Sequence, residues 1–513
     1  SLPLPVLIVV RNQMSVAISS IGLASAQGSS ANISNGAALR APAQWPWPVN
    51  GWSTAKRCRP AVGVSSRLNG LMRWQALVQL ALEDCLGDQQ VSPDTPIFIG
   101  SCNGSAGDFS ADSWSEAFDS AALLEGTAWA GLRVPVFSSS CNSGLHALYA
   151  ANQVLLSGQA DEAVVLGADI LSPSNQDNFE VLRVLTDSPM PWQSTSTGFI
   201  LGEAAVALKL VREKDGVART RLNGPVLANE LTRGDGLPRV LEQLSRHSLK
   251  LLLGQGTGPL ANDESELAAF QHFIAADVPL ATSLVHFGHT LGASGLLAIA
   301  LAALIQQTPR ATAALVMPTA AAIDGRPLTI GSTKRSRIPI STKESGDVLV
   351  SCRALNGSCA AAVIGTADNA YVDQNGRQDR DQRSQKTWHA AAPTGPLMNT
   401  LLRRIAGEAH RHRPVDPPDV LLVRMEEPLA PPTEARIGER LLPSAVLEMT
   451  PGFVSQLIAR CWGFPGPALC VVGNSKAKDR AWDLGAALND LSLVVNQVEL
   501  RGTGDTREIA WDN

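Results

Sequence analysis

Cys141 stands in Phe137-Ser-Ser-Ser-Cys-Asn-Ser-Gly-Leu-His-Ala-Leu148, where an apolar strand runs through a small-residue turn into a helix. A cysteine at a helix N-terminus meets free backbone N–H groups and the positive end of the helix dipole, which stabilise a thiolate able to attack a thioester near neutral pH. The plain alternative is a small buried core cysteine. His289 occupies a second junction of this type. Gly288-His-Thr-Leu-Gly-Ala-Ser-Gly295 follows the apolar run 281–287 and opens the helical stretch 296–305. A third reactive turn, Leu251-Leu-Leu-Gly-Gln-Gly-Thr-Gly-Pro-Leu-Ala-Asn-Asp-Glu-Ser-Glu266, carries Gln255 and Thr257 and leads into a helix with an acidic start. Short apolar runs at 97–100, 163–167, 204–211, 279–287, 347–351 and 360–364 alternate with helical stretches such as 145–156. This alternation predicts an α/β fold with a mostly parallel, helix-covered sheet.

Composition narrows the function. Charged residues make up 17% of 513 residues and the formal charge is −5. Buried layers fit this better than disorder, and no basic footprint for nucleic acid is present. Lys56, Arg57 and Arg59 form at most a local basic patch. Eight cysteines are scattered without paired spacing, so neither a zinc site nor a disulfide framework is expected. No Walker or Rossmann glycine fingerprint occurs, and no cofactor is implied. The run 4–10 is too short to span a bilayer and lacks a signal-peptide pattern. A cytoplasmic location fits the cysteine usage.

Taken in order, the three reactive segments, Gly198-Phe-Ile-Leu-Gly-Glu-Ala-Ala205 and Ala160-Asp-Glu-Ala-Val-Val-Leu-Gly-Ala-Asp169 resemble the β-ketoacyl synthase family of thiolase-fold condensing enzymes. The resemblance covers roughly 16–365. It implies a thiolase-like five-layer αβαβα fold, an acyl carrier protein or acyl-CoA thioester as donor, and a homodimer or a heterodimer with another ketosynthase-like subunit. Residues 1–13 are read as an upstream segment, 14–215 and 216–368 as the two halves, 369–387 as a linker, and 388–513 as a partial α/β segment like a degenerate N-terminal half. A gap-free overlay of that last segment puts Val471 at the position of Cys141, and a shifted one puts Ser475 there. Cys470 beside them reads as a core cysteine.

Carried over residue by residue, the resemblance makes Cys141 the acyl carrier and His289 the second of two histidines that stabilise the malonyl enolate. Gln255 falls on the first. Glutamine can donate a hydrogen bond but cannot become a cation or shuttle a proton. Leu284 and Ala298 stand where the family has a lysine and a glutamate, and Ala354-Leu-Asn-Gly-Ser358 replaces the Gly-Phe-Gly-Gly gating loop. The expected substrate-binding residues are Thr257, Phe199, Leu355, Asn356 and Ser358, with Pro259 in place of a second threonine. Three readings follow: acyl transfer or cyclisation on Cys141 and His289 without decarboxylation; decarboxylative elongation with Gln255 and His289 as the oxyanion hole; and a non-catalytic chain-length-factor-like subunit.

Other residues have simpler readings. His146 is expected to pack its helix, His286 to point away from the site by strand alternation, and Asp263 and Glu266 to be N-terminal helix acids. Asn103 and Gly104 belong to a turn, and His410 and His412 to a polar surface turn.

Overall fold

A computed structural model describes residues 15–366 and 400–512, apart from internal stretches of which 328–345, 45–56 and 474–483 are the longest. The expected upstream segment and linker lie outside the described residues. The alternation of apolar runs resolves into one continuous fifteen-stranded sheet. It is mixed and not mostly parallel as expected, with six parallel and eight antiparallel pairings, because strands joined without a crossover helix, such as Asp347–Arg353 and Ser358–Gly365, pair antiparallel.

Five strands build the first part: β1 Ser15–Ser25, β2 Ile97–Gly100, β3 Val136–Phe137, β4 Glu162–Asp169 and β5 Ala204–Glu213. They lie in the order β3-β2-β4-β5-β1, parallel at β3-β2-β4 and antiparallel around β5. The next five are β6 Arg221–Asn229, β7 Leu249–Leu253, β8 Leu280–Thr282, β9 Asp347–Arg353 and β10 Ser358–Gly365. Their order, β8-β7-β9-β10-β6, repeats the first permutation, and β1 meets β6 at Val16–Leu222. Strands such as β2 and β4 are buried almost throughout, as parallel strands covered on both faces must be.

Helices fill the layers. α1 Gly70–Leu86 covers the outer face of the first part, and α3 Leu260–Phe273 that of the second. Between the two parts lie α2 Ser143–Ser157 and α4 Ser294–Gln307, buried almost all round in the largest apolar cluster. Their near-continuous apolar sequences suit a central layer with no wet side. Outer helices, sheet, central helices, sheet and outer helices make the five layers the sequence led us to expect.

The run expected as a strand over 279–287 divides. Only Leu280–Thr282 is extended, and Leu284–Phe287 forms one helical turn, with the N–H groups of His286 and Phe287 donating to Ser283 O. His286 therefore lies on a helix, so strand alternation does not set its direction.

The last segment holds β11 Val420–Met425, β12 Ala468–Val472, β13 Val495–Arg501 and β14 Glu508–Asp512, with α5 Thr400–Arg411, α6 Gly452–Trp462 and α7 Leu484–Asp490. Its order, β12-β11-β13-β14, matches the first four places of the earlier permutation. β12 pairs antiparallel with β3, Val471 opposite Phe137 and Val472 opposite Val136, and Ser138 N donates to Cys470 O at 3.0 Å. An edge strand that would otherwise be open to another chain is thus covered from within. Leu469, Val471, Leu484, Ala487 and Leu488 join the cluster around α2. At Gly452 a Cβ would lie 2.4 Å from Ser138 O, so α6 begins against the backbone that leads to Cys141. Val471 lies inside β12 rather than at a strand-to-helix turn, which removes the gap-free overlay, and Ser475 lies outside the described residues. Cys470 is fully buried beside Met425 Sδ at 3.7 Å, a core cysteine.

Candidate active site

The turn between β3 and α2 is strained and cross-braced. Ser140 has φ +53°, Ser143 Oγ donates to Ser140 O at 2.7 Å and accepts from Ser139 N at 2.9 Å, and Asn142 Nδ2 donates to Ser358 O at 2.8 Å. A positive φ at a non-glycine residue persists only where the surroundings dictate it. It presents Cys141 at the entrance to α2. Main-chain N–H groups of Leu355 and of Cys141 itself approach the sulfur, with Ser140 Oγ at 3.8 Å. These donors favour the thiolate, yet burial outweighs them, and the thiol is pushed up to about 11. The expected low-pKa cysteine is therefore a protonated thiol at rest, because Cys141 is 2% exposed and desolvation exceeds what the donors return.

His289 is fixed on three sides. Its N–H donates to Ile200 O at 2.8 Å, its carbonyl accepts from Gly202 N at 3.0 Å, and its ring stacks on Phe199 with centroids 4.5 Å apart. Nδ1 accepts from Leu291 N at 3.2 Å, which leaves the proton of the neutral ring on Nε2. Burial lowers the imidazole to about 4, so it is a neutral donor at physiological pH. Beneath it, Asp169 accepts from Gly292 N at 2.7 Å and from Ser101 Oγ, Cys102 N and Asn103 N, tying the His289 turn to the end of β4. The Asn103 turn thus has a partner across the site.

Gln255 is oriented by its surroundings. Oε1 accepts from Arg353 N at 3.1 Å, and Nε2 is buried without a hydrogen-bond partner. The turn that carries it hangs from two acids. Glu266 accepts from Gln255 N, Gly256 N and Trp192 Nε1 at 2.8, 2.9 and 2.7 Å, while Asp263 accepts from Gly258 N and Trp192 N at 2.9 and 2.7 Å. Sequence reasoning took both for helix-terminus acids and missed this bracing. The signal lay in two acids three residues apart directly after a Gly-x-Gly-x-Gly turn whose N–H groups need acceptors.

Gln255 and His289 line one cavity of about 20 Å³, with Leu284, Ala298, Ser351 and Cys352 among its walls. No charged side chain lines it. Leu284 and Ala298, the positions of the family's lysine and glutamate, are part of the wall.

The loop after β9 is a tight hairpin, with Ala354 N donating to Ser358 O at 2.8 Å and Gly357 N to Ala354 O at 3.0 Å. Leu355 presents its amide to Cys141, Asn356 Oδ1 accepts from Ser358 N at 3.1 Å, and Ser358 Oγ lies 2.9 Å from His146 Nε2. His146 is thus more than helix packing. It touches the hairpin, and burial holds it neutral, down to about 3. Phe199 packs on His289 and Phe179, and Thr257 is buried in the Gln255 turn.

Several sequence-level suggestions lie elsewhere. Arg59 is buried at 6% exposure and donates to Val285 O at 2.7 Å, so it belongs to the interior rather than to a basic surface patch. Lys56 lies outside the described residues. His410 and His412 are exposed at the end of α5, with His412 stacked on Trp511 at 5.1 Å. Among the described residues no cluster could hold a metal ion, and no helix is long and apolar enough to cross a membrane.

The family profile "Beta-ketoacyl synthase, N-terminal domain" matches residues 128–216, which include Cys141 and the Gly202-Glu203 turn. The ketoacyl synthase alpha subunit of the tetracenomycin polyketide synthase of Streptomyces glaucescens is 28% identical over 200 residues, 33% of this chain and 47% of that protein. Nodulation protein E of Rhizobium leguminosarum bv. trifolii is 29% identical over 190 residues, with the same coverage. The match thus spans about half the length of these curated relatives. Among solved structures, the PfaC keto synthase-chain length factor superposes with a TM-score of 0.65 at 13% identity, covering 95% of this chain and 74% of its own. That likeness is one of fold.

Proposed function

We propose that this chain, which belongs to the β-ketoacyl synthase family of thiolase-fold condensing enzymes, loads an acyl group onto Cys141 and passes it on without malonyl decarboxylation. The nucleophile that receives it is a separate acceptor or a carbanion within the same acyl chain. One observation carries this reading. The cavity shared with His289 has Gln255 in the place of the first histidine, with its oxygen committed to Arg353 N and only an NH₂ left to donate. An amide donates but moves no proton, and neither Leu284 nor Ala298 supplies the charge that the family places around the second histidine.

In the loading step the Cys141 sulfur attacks the thioester carbonyl of a pantetheine-borne acyl group. The amides of Leu355 and Cys141 receive the developing oxyanion. The carbon–sulfur bond to pantetheine then breaks, and the cysteine proton leaves with the released thiol. Because the resting thiol sits near 11, proton loss belongs to the transition state rather than to the free enzyme. His289 contributes a neutral Nε2–H, and Thr257 and the Leu355–Ser358 hairpin contact the arm or chain. An acyl carrier protein or coenzyme A thioester supplies the acyl group, within polyketide-like or fatty-acid-like metabolism in the cytoplasm. Residues after 400 serve as a degenerate half that closes the β3 edge a second subunit would otherwise use.

Decarboxylative elongation stands as a second reading, favoured by the convergence of two free N–H donors, Gln255 Nε2 and His289 Nε2, on one cavity. Intact-protein mass spectrometry decides between them. Wild type and Cys141→Ala are incubated with acyl-pantetheine donors, with and without malonyl carrier protein, while carbon dioxide is followed. Acylation of wild type alone without carbon dioxide is the expected result. Malonyl-dependent release establishes elongation, and an unchanged mass across several chain lengths removes both.

A further inference from the structure

The last segment reaches into the site through one side chain. Arg460 on α6 donates from Nη2 to Asn356 O at 3.0 Å and from Nε to Glu230 O at 3.2 Å. Asn356 is in the hairpin that presents the Leu355 amide to Cys141. Gly357 has φ +90°, and a Cβ there would lie 2.6 Å from Arg460 Nη2, so the guanidinium rests directly on the turn.

Glu230, whose carbonyl holds Arg460, grips the Arg353 guanidinium at 2.6 and 2.7 Å, and its Oε1 also accepts from Gly234 N. Arg353 N in turn anchors Gln255 Oε1. One guanidinium from α6 therefore ties the main chain on both sides of the site, the Leu355 turn directly and the Gln255 amide through Glu230 and Arg353. Nearby, Asn229 N donates to Pro465 O at 2.9 Å and Asn229 Nδ2 to Gly466 O. The Asn229 main chain pairs with Ser358 across the sheet, but its side-chain bond to Gly466 is a separate attachment of the same segment.

We infer that Arg460 is a positioning residue: it holds the Leu355 amide against the Cys141 sulfur, so the last segment sets the reactivity of the nucleophile. The inference rests on Cys141 as the acyl acceptor. A purely structural tie would lower stability and leave the sulfur's surroundings unchanged.

The test is the rate of iodoacetamide alkylation of Cys141 against pH, located by peptide mass, in the full chain and in Arg460→Met, Arg460→Lys and Asn229→Ala. Acyl loading and melting temperature are measured in parallel. With the amide displaced, the alkylation profile of Arg460→Met moves up by about one pH unit. Its loading slows roughly 10- to 100-fold, the scale of a misplaced reacting group. Arg460→Lys, with one cationic donor for two carbonyls, falls between. Asn229→Ala melts lower and keeps the wild-type profile. A folded Arg460→Met with a wild-type profile overturns the inference. If that variant is not recovered folded, a wild-type profile in Arg460→Lys or Arg460→Gln does the same. Should wild type load no thioester, the acyl-enzyme reading fails, while the alkylation profiles still decide the role of Arg460.

Discussion

Replacing Gln255 by histidine tests the feature that separates this site from a decarboxylating one. An imidazole at this position reaches about as far as the glutamine amide. The ring nitrogen that takes the place of Oε1 accepts from Arg353 N, now 3.1 Å from Oε1, and the other carries its proton into the cavity beside His289. The bracing by Glu266 and Asp263 runs through the Gln255, Gly256 and Gly258 main-chain N–H groups, so the turn is unaffected by the change. Glutamine already supplies an N–H donor, so what the histidine adds is the ability to carry a charge and move a proton, and a positioned acid–base group is commonly worth about 10²–10⁴ in rate. Leu284 and Ala298 leave the charges around His289 absent, so the gain falls at the lower end, about 10²-fold in carbon dioxide release from malonyl carrier protein. The assay follows labelled carbon dioxide with acyl-loaded Gln255→His and wild type at equal acyl-enzyme. If loading matches wild type and release does not rise, the reasoning is refuted for Gln255, and Gln255→His combined with Leu284→Lys and Ala298→Glu becomes the next measurement.

Three further outcomes follow from the same geometry. Alkylation of wild-type Cys141 rises about tenfold per pH unit from pH 7 to 10 and levels only near 11, because the resting thiol is protonated; a plateau below pH 8 contradicts this. His146 sits near 3 when folded against about 6.5 unfolded, so its neutral form carries stability that is complete above 6.5 and lost as pH falls towards the folded value. The stability difference between His146→Asn and wild type therefore shifts by about 2 kcal/mol in favour of the variant between pH 7 and pH 5, read by denaturant titration. The wild-type curve alone is a poor guide, since burial raises Asp169, Asp263 and Glu266 and their contributions run the opposite way. Glu203→Gln leaves Arg73 buried beside a neutral amide where it now has a carboxylate at 2.6 Å, and unfolding measurements show a loss of about 3–5 kcal/mol; a loss under 1 kcal/mol refutes the pairing.

What could be read from the sequence was what local chemistry dictates. A reactive side chain between an apolar strand and a small-residue turn is legible from sequence, and Cys141 does stand there before its helix. His289 precedes its helix as expected but follows a helical turn and not a strand. The alternation of runs foretold strands covered by helices, but not their repeated permutation, which is set by pairing between distant segments. The protonation state of Cys141 was not legible either, because it depends on how much low-dielectric protein closes over the sulfur. That quantity is set by the Leu355 hairpin and by the apolar cluster that holds Cys141 together with α4, which come from distant parts of the chain. For the same reason Asp263 and Glu266 read as helix acids, when their oxygens are filled by N–H groups of a turn that precedes them.

The last segment shows the limit most sharply. Its strands resembled a degraded half, but a sequence overlay misplaced Val471 at the nucleophile position, since β12 is matched to β3 by hydrogen bonding across the sheet and not by spacing along the chain. A copy that has lost its nucleophile still has an edge strand, a helix N-terminus and an arginine to present. Edge pairing between β12 and β3 fixes where α6 starts, Gly452 lets it start against Ser138, and two turns later that places Arg460 on the Asn356 carbonyl. Pairing at the edge thus fixes the helix that braces the hairpin, which is why a segment without chemistry of its own bears on the chemistry of Cys141.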